Sequence, residues 1–214
     1  MRLHELHKRA EWYSLPDTKR TSVQRLAART QGVITPANGV SIVGAAGTIL
    51  GLIIFYRHYH IAGLVLVGVG RICDILDGHV ARKTHTSSPF GEGLDAGLDK
   101  LVVVIACGLL IAGHIVPVFL GAVLLIVQLI IAGLALAVRH DGQGLHPSRM
   151  GKYAMFGLWV SLGLFMIAHA LPEGSWTQVI WLTALIGLLM VLSAELSALR
   201  EYLRIARRRH FRDR

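Results

Sequence analysis

Six apolar runs, each close to twenty residues long, occupy most of this chain: roughly 37–57, 61–82, 92–113, 116–138, 152–171 and 176–199. About twenty apolar residues in helical conformation cross the hydrocarbon core of a bilayer, and a helix satisfies its own backbone hydrogen bonds there. Charged residues make up only 16% of the 214 positions, against about 25% in soluble domains. The expected fold is therefore all-α integral membrane, with six transmembrane helices. Short polar or bent connections separate the runs at Arg57–His60, Lys83–Phe90, Gly113–Pro117, Arg139–Arg149 and Pro172–Ser175. The last run is expected to continue as a helix through Glu195, Arg200 and Glu201 into the basic tail Arg207, Arg208 and Arg209.

The net charge of +9 could suggest nucleic acid, but its placement argues otherwise. Lys8, Arg9, Lys19, Arg20, Arg25 and Arg29 precede the first run, and Arg82 and Lys83 close the second. Arg139, Arg149 and Lys152 lie between the fourth and fifth, and Arg200 begins the tail. The alternate connections carry only Arg57. Cations confined to one side fit anionic headgroups and the positive-inside rule, so no nucleic-acid partner is expected. A multi-pass protein of the cell membrane follows, with both termini cytoplasmic. Residues 1–35 form an arm in which Leu3, Leu6, Ala10 and Tyr13 recur at helical spacing, as in an amphipathic helix lying in the interface. Residues 36–199 form the six-span domain and 200–214 the basic cytoplasmic tail. The amino terminus has no apolar h-region, so no cleavable signal peptide is expected. Cys73 and Cys107 sit in apolar runs and read as small buried hydrophobes.

Against this background the stretch from Asp74 to Asp99 is chemically anomalous. It carries D-x2-D-G-x2-A-R-x8-G-x3-D-x3-D: Asp74, Asp77, Gly78, Ala81, Arg82, Gly91, Asp95 and Asp99. A carboxylate at the centre of a membrane helix costs about 2.5–3.5 kcal/mol on insertion scales, so four together call for a compensating charge. Asp74 and Asp77 share one helix face by their spacing of three, and Asp95 and Asp99 share another by their spacing of four. Two helices joined by a short hairpin can direct all four into one cavity suited to one or two hard cations such as Mg2+ or Mn2+. Two such ions about 3.5–4 Å apart would clamp a phosphoryl centre. Gly78 and Ala81 leave room for close approach of a phosphate, and Arg82 can pair with a diphosphate. Gly91 is expected to end the loop and let the chain turn into the third run.

The segment DILDGHVARKTHTSSPFGEGLDAGLDK resembles the signature of the CDP-alcohol phosphatidyltransferase family at all eight motif positions. That resemblance implies transfer of a phosphatidyl group from CDP-diacylglycerol to a polar alcohol, with release of CMP, in phospholipid biosynthesis. It implies that Asp74, Asp77 and Asp95 are metal ligands. Asp99 would contribute a metal contact, the catalytic base, or both. Asp74, Gly78, Ala81 and Arg82 would form the CDP site, and two divalent cations the cofactor. Family members are commonly homodimers.

LDAGLDKLVVVIACGLL and PSRMGKYAMF are similar to stretches of the phosphatidylglycerophosphate synthase group, although Tyr153 and Ala154 stand where lysine and threonine usually follow. A phosphorylated acceptor, glycerol 3-phosphate or inositol phosphate, brings a dianion for which Arg139, Arg149 and Lys152 would be counter-charges. Serine would need fewer cations. Another CDP-linked donor with a diacylglycerol acceptor is an alternative within the same chemistry. A divalent-cation transporter is the alternative from another class. Thr35 and Asn38 read as span-initiating residues or contacts to the donor. Glu92 reads as a favourable charge at a helix amino terminus.

Overall fold

The computed structural model describes residues 17–140 and 149–210, and among these the regular structure is entirely helical. After a 3-10 turn at Asp17–Lys19 come α1 (Ser22–Arg29), α2 (Pro36–Tyr56), α3 (His60–Lys83), α4 (Pro89–Ala112), α5 (Val118–His140), α6 (Arg149–Ala170) and α7 (Ser175–His210). All six apolar runs are helical, and α7 runs unbroken into the basic tail. The segment built on Leu3, Leu6, Ala10 and Tyr13 lies outside the described residues.

Three helices among the described residues contain stretches long and apolar enough to cross a membrane: Pro36–Tyr56, Tyr153–Ala170 and Ser175–Leu196. Helices α3 and α4 are long enough, but each carries ionisable residues, including Arg71, Asp74, Asp77, Asp95 and Asp99. That is the composition expected of helices that hold a site. Helix α1 was not anticipated, although its signal is legible: Thr21 and Gln24 form a capping box, Gln24 N donating to Thr21 Oγ1 at 3.4 Å and Thr21 N to Gln24 Oε1 at 3.0 Å.

The chain divides into two compact units, Met1–Ala106 and Cys107–Arg214. In the first, α2 and α3 pack with their backbones nearly touching. A Cβ on Gly63 would come within 2.6 Å of Phe55 N, one on Gly51 within 2.7 Å of Val67 N, and one on Gly70 within 2.7 Å of Gly44 O. Small residues at such crossings are a general device for helix association in lipid, where burial of apolar surface gives little driving force. Leu52, Phe55 and Val67 fill the remaining space. The close approach also brings the polar side chains of α2 alongside the lower half of α3.

In the second unit, α6 and α7 meet along Leu158, Leu162, Phe165 and Met166 on one side and Ala184, Leu188 and Val191 on the other, at helical spacing. Phe165 meets Trp181 edge-on, with ring centroids 5.8 Å apart. Gln128 of α5 donates to the buried Glu195 of α7 at 2.5 Å, an interhelical hydrogen bond of the kind that joins membrane helices.

Among the described residues, four helix ends turn through residues with positive φ that are not glycine: Gln31 (53°), His58 (70°), His85 (53°) and His114 (55°). In each case the next residue's N–H reaches back five positions, as in Thr86 N to Ala81 O at 3.0 Å, closing a Schellman-type cap.

The packing of α2 on α3 yields a direct prediction. Gly63→Ala should destabilise the protein by about 1–3 kcal/mol through overpacking. Gly68→Ala, where a Cβ would meet nothing within 4 Å, should be neutral or slightly stabilising. Thermal unfolding of the two variants in the same detergent checks the contrast.

Candidate active site

The acidic motif folds as the carboxyl-terminal half of α3, a five-residue connection and the first turns of α4. Asp74 and Asp77 lie on α3, Asp95 and Asp99 on α4. One carboxylate oxygen each from Asp74, Asp77 and Asp95 lies within 4.8 Å of the other two. Asp77 is buried, and Asp74 and Asp95 are partly so. Three anionic oxygens converging from two helices, with neither sulfur nor imidazole among them, form the donor set that hard divalent cations prefer. The residues present therefore fit such an ion.

Asp99 is held differently. Its Oδ1 accepts from Arg71 Nη1 at 3.0 Å, and the same nitrogen lies 3.3 Å from Asp74 Oδ2. The Arg71 side chain is only 14% exposed, so this ion pair is shielded from the solvent and salt that weaken surface pairs. Arg71 Nε lies 3.3 Å from Thr48 Oγ1 of α2, a hydroxyl that in turn donates to Gly44 O at 2.9 Å. On the other carboxylate of α3, the Ser41 hydroxyl of α2 hydrogen-bonds Asp77 Oδ2.

Sequence reasoning overlooked both Arg71 and Ser41. Arg71 had a visible signal: an arginine inside an apolar run, three residues before an aspartate, is costly unless paired. Ser41 had none, because a serine in an apolar run is unremarkable until its neighbour across the helix crossing is known.

Gly78 faces open space apart from Arg82, whose Nη1 would lie 3.5 Å from a Cβ there. The Arg82 side chain thus folds back one turn over the bare backbone of Gly78, as helix geometry directs. Ala81 is half-buried and its carbonyl anchors the end of α3 through Thr86 N. His85 supplies the positive-φ position of this same turn, and His79 is exposed.

Gly91 departs from expectation. It lies inside α4, which begins at Pro89 and not after the glycine. Its lack of a side chain gives room to Asn38 Oδ1, which would stand 2.7 Å from a Cβ. Asn38 is committed to the scaffold: its Nδ2 donates to Val33 O at 2.8 Å and Gly32 O at 3.1 Å, while its own N–H is capped by Thr35 Oγ1 at 3.1 Å. Thr35 is the N-cap of α2 and Pro36 its first residue, the favoured pairing at a helix start. Ser88 Oγ donates to Gly32 O at 3.2 Å and accepts from Gly91 N at 3.0 Å. The α1–α2 connection is thereby tied to the start of α4, which sets where Asp95 and Asp99 begin. Glu92 falls in the first turn of α4 as anticipated.

Arg139 lies at the end of α5, and Arg149 and Lys152 at the start of α6. Their side chains lie outside the described residues.

Comparison with known proteins agrees with this geometry. Residues 34–193 match the CDP-alcohol phosphatidyltransferase family. The chain is 27% identical over 113 residues to the CDP-diacylglycerol–glycerol-3-phosphate 3-phosphatidyltransferase of Bacillus subtilis, covering 53% of this chain and 58% of that protein. It is 40% identical over 68 residues to the archaetidylinositol phosphate synthase of Pyrococcus horikoshii, covering 32% and 36% respectively. These matches therefore span about half or less of those relatives. A longer match, 27% identical over 161 residues, joins it to the CMP-forming cardiolipin synthase of Streptomyces coelicolor, covering 72% of this chain and 74% of that one. The crystal structure of apo phosphatidylinositol phosphate synthase from Mycobacterium tuberculosis shares the fold, with a TM-score of 0.57 at 23% identity over 86% of this chain and 94% of that one. With the family match spanning most of its length and the acidic motif folded into one carboxylate cluster, this membrane-embedded chain belongs to the CDP-alcohol phosphatidyltransferase family.

Proposed function

We propose that this protein transfers a phosphatidyl group from CDP-diacylglycerol to a phosphorylated polar alcohol, glycerol 3-phosphate or inositol phosphate, and releases CMP. The observation that carries this reading is the convergence of Asp74, Asp77 and Asp95 on one point, with Gly78 and Arg82 beside it on α3. The relatives named as glycerol-3-phosphate and inositol phosphate enzymes support the acceptor class.

In this reading Asp74, Asp77 and Asp95 would hold two divalent cations, Mg2+ or Mn2+, and Asp99 would contribute a metal contact, the base function, or both. When bound, such ions neutralise diphosphate charge and stabilise the leaving phosphate. The chain's own groups do the rest. Ser41 fixes the rotamer of Asp77 by hydrogen bond, as partners of metal ligands generally do. Gly78 and Ala81 let the CDP diphosphate lie against α3, Asp74 contacts the same nucleotide, and Arg82 closes over the diphosphate with its planar fork. Asp99 takes the proton of the attacking hydroxyl. The hydroxyl oxygen bonds to the phosphatidyl phosphorus as the bond to CMP breaks, and CMP leaves with the electron pair.

Arg139, Arg149 and Lys152 supply the counter-charge for the acceptor phosphate. Residues 36–199 act as the catalytic domain, with α2 to α7 each crossing the membrane. The amino-terminal arm lies in the interface and the acidic cluster faces the cytoplasm. The uneven distribution of lysine and arginine among the connections supports that orientation. The working form is a homodimer in the cell membrane, surrounded by lipid.

Purified protein supplied with CDP-diacylglycerol and Mn2+ should release CMP only when an acceptor is added, and glycerol 3-phosphate or inositol phosphate should outperform inositol and serine. Asp99→Asn should lower kcat by about 100-fold or more, the scale of a lost general base. Replacing Arg149 or Lys152 with glutamine should instead raise KM for the acceptor. Mn2+ binding, followed by the electron paramagnetic resonance of the free ion, gives an independent check. Asp77→Asn should abolish tight binding, and Ser41→Ala should weaken it about tenfold. Unchanged affinity in both variants would remove Asp77 from the ligand set.

A further inference from the structure

Helix α1 (Ser22–Arg29) has two faces with different surroundings. On one, Gln24 and Ala27 are buried, Ala27 completely. Gln24 Oε1 accepts from Thr21 N at 3.0 Å in the helix's own cap, while its Nε2 donates to Thr84 O at 3.5 Å. Thr84 is the C-cap of α3 and opens the connection to α4. Helix α1 therefore bears on the segment that joins the helix of Asp74 and Asp77 to the helix of Asp95 and Asp99.

The opposite face holds Ser22, Arg25, Leu26 and Arg29, which share one side of the helix by spacings of three and four. All four are exposed. Exposed Val33 and Ile34 continue this surface to Pro36, where a helix long and apolar enough to cross a membrane begins. Arg25 Nε donates to Arg20 O at 3.2 Å, a bond to a carbonyl that leaves the positive charge in place. No aspartate or glutamate occurs between Asp17 and Asp74, so sequence neighbours offer no counter-charge. Cations interleaved with apolar side chains, next to a bilayer-crossing helix, are complementary to one kind of surface: anionic phosphates above acyl chains.

We propose that this face of α1 docks on anionic phospholipid, and that docking steadies the α3–α4 connection and so raises turnover. Gln24 is the link, because it alone joins the anchored helix to the carbonyl that ends α3 among the hydrogen bonds described above. The effect on turnover rests on the transferase reading, whereas the docking does not. In that reading the product is itself an anionic phospholipid, so the enzyme works faster in the membrane that it enriches.

The test places the full chain in nanodiscs of phosphatidylcholine alone, or of an equimolar mixture with phosphatidylglycerol, and follows amide hydrogen exchange without substrate. Exchange across residues 24–30 should slow by about five- to twentyfold in the anionic discs, since each cation near such a surface contributes about a factor of five. Arg25→Gln/Arg29→Gln should lose most of that slowing, and Arg25→Lys/Arg29→Lys should keep it. CMP release at saturating CDP-diacylglycerol and Mn2+ should rise about threefold or more in the anionic discs, and the double glutamine variant should keep the neutral-disc rate in both. Gln24→Glu retains the acceptor for Thr21 N but loses the donor to Thr84 O, so it should keep the slowing and lose the gain in rate. Equal exchange in the two discs, as a protein occupant of this face would give, would overturn the docking. So would slowing that survives Arg25→Gln/Arg29→Gln. A gain in rate that persists in the double glutamine variant, or in Gln24→Glu, would overturn the link to turnover. Absence of CMP release from the parent protein with every acceptor would overturn the transferase reading instead, and the exchange measurement would still decide whether α1 docks on anionic lipid.

Discussion

Like charges crowded between apolar helices set the terms for the rest of this structure. Two carboxylates about 5 Å apart repel by about 3 kcal/mol at the effective dielectric of a protein interior, and Asp74, Asp77 and Asp95 stand within 4.8 Å of one another. Nothing in ordinary packing justifies that arrangement. Two of the three are supported from outside the cluster, Asp77 by the Ser41 hydroxyl and Asp74 by the Arg71 guanidinium, which also holds Asp99. Cations of the kind such oxygens prefer would complete the compensation. The protein is thus least self-sufficient where it is most chemically active, a common pattern at functional sites.

The supporting groups can reach the acids because α2 and α3 approach without side chains between them. Gly44, Gly51, Gly63 and Gly70 remove the Cβ atoms that would hold the helices apart. Ser41 and Thr48 sit on the α2 face so exposed, one aligned with Asp77 and the other with Arg71. Packing and chemistry are therefore a single feature here. Asn38 binds the α1–α2 connection to the start of α2, and Ser88 binds it to the start of α4, so α4 is referenced through that short loop to the helix that supports the acids of α3.

Much of this was legible in the sequence. The six helices emerge from run length alone, and the acidic motif from its conflict with apolar surroundings. Thr35 and Asn38 take the helix-initiating role that their position before the first run suggests. What escaped was everything that depends on contact between distant segments. Arg71 could have been suspected from its spacing to Asp74, but its link to Asp99 crosses 28 positions. Ser41 and Asp77 are 36 apart. Gly91 was recognised as special for the wrong reason: a glycine in a loop signature suggests a turn, whereas here it clears space for Asn38. Local rules find elements and unusual residues, while the partner that makes a residue useful is fixed by how helices cross.

The helix ends carry a separate implication. His58 and His114 hold a left-handed backbone conformation that L-residues adopt at an expense of about 1–2 kcal/mol and glycine adopts freely. Both lie well away in sequence from the acidic motif. They mark places where the molecule sits below its attainable robustness, and where a sturdier form for handling outside the bilayer can be sought without disturbing the acids or the helix crossing that supports them.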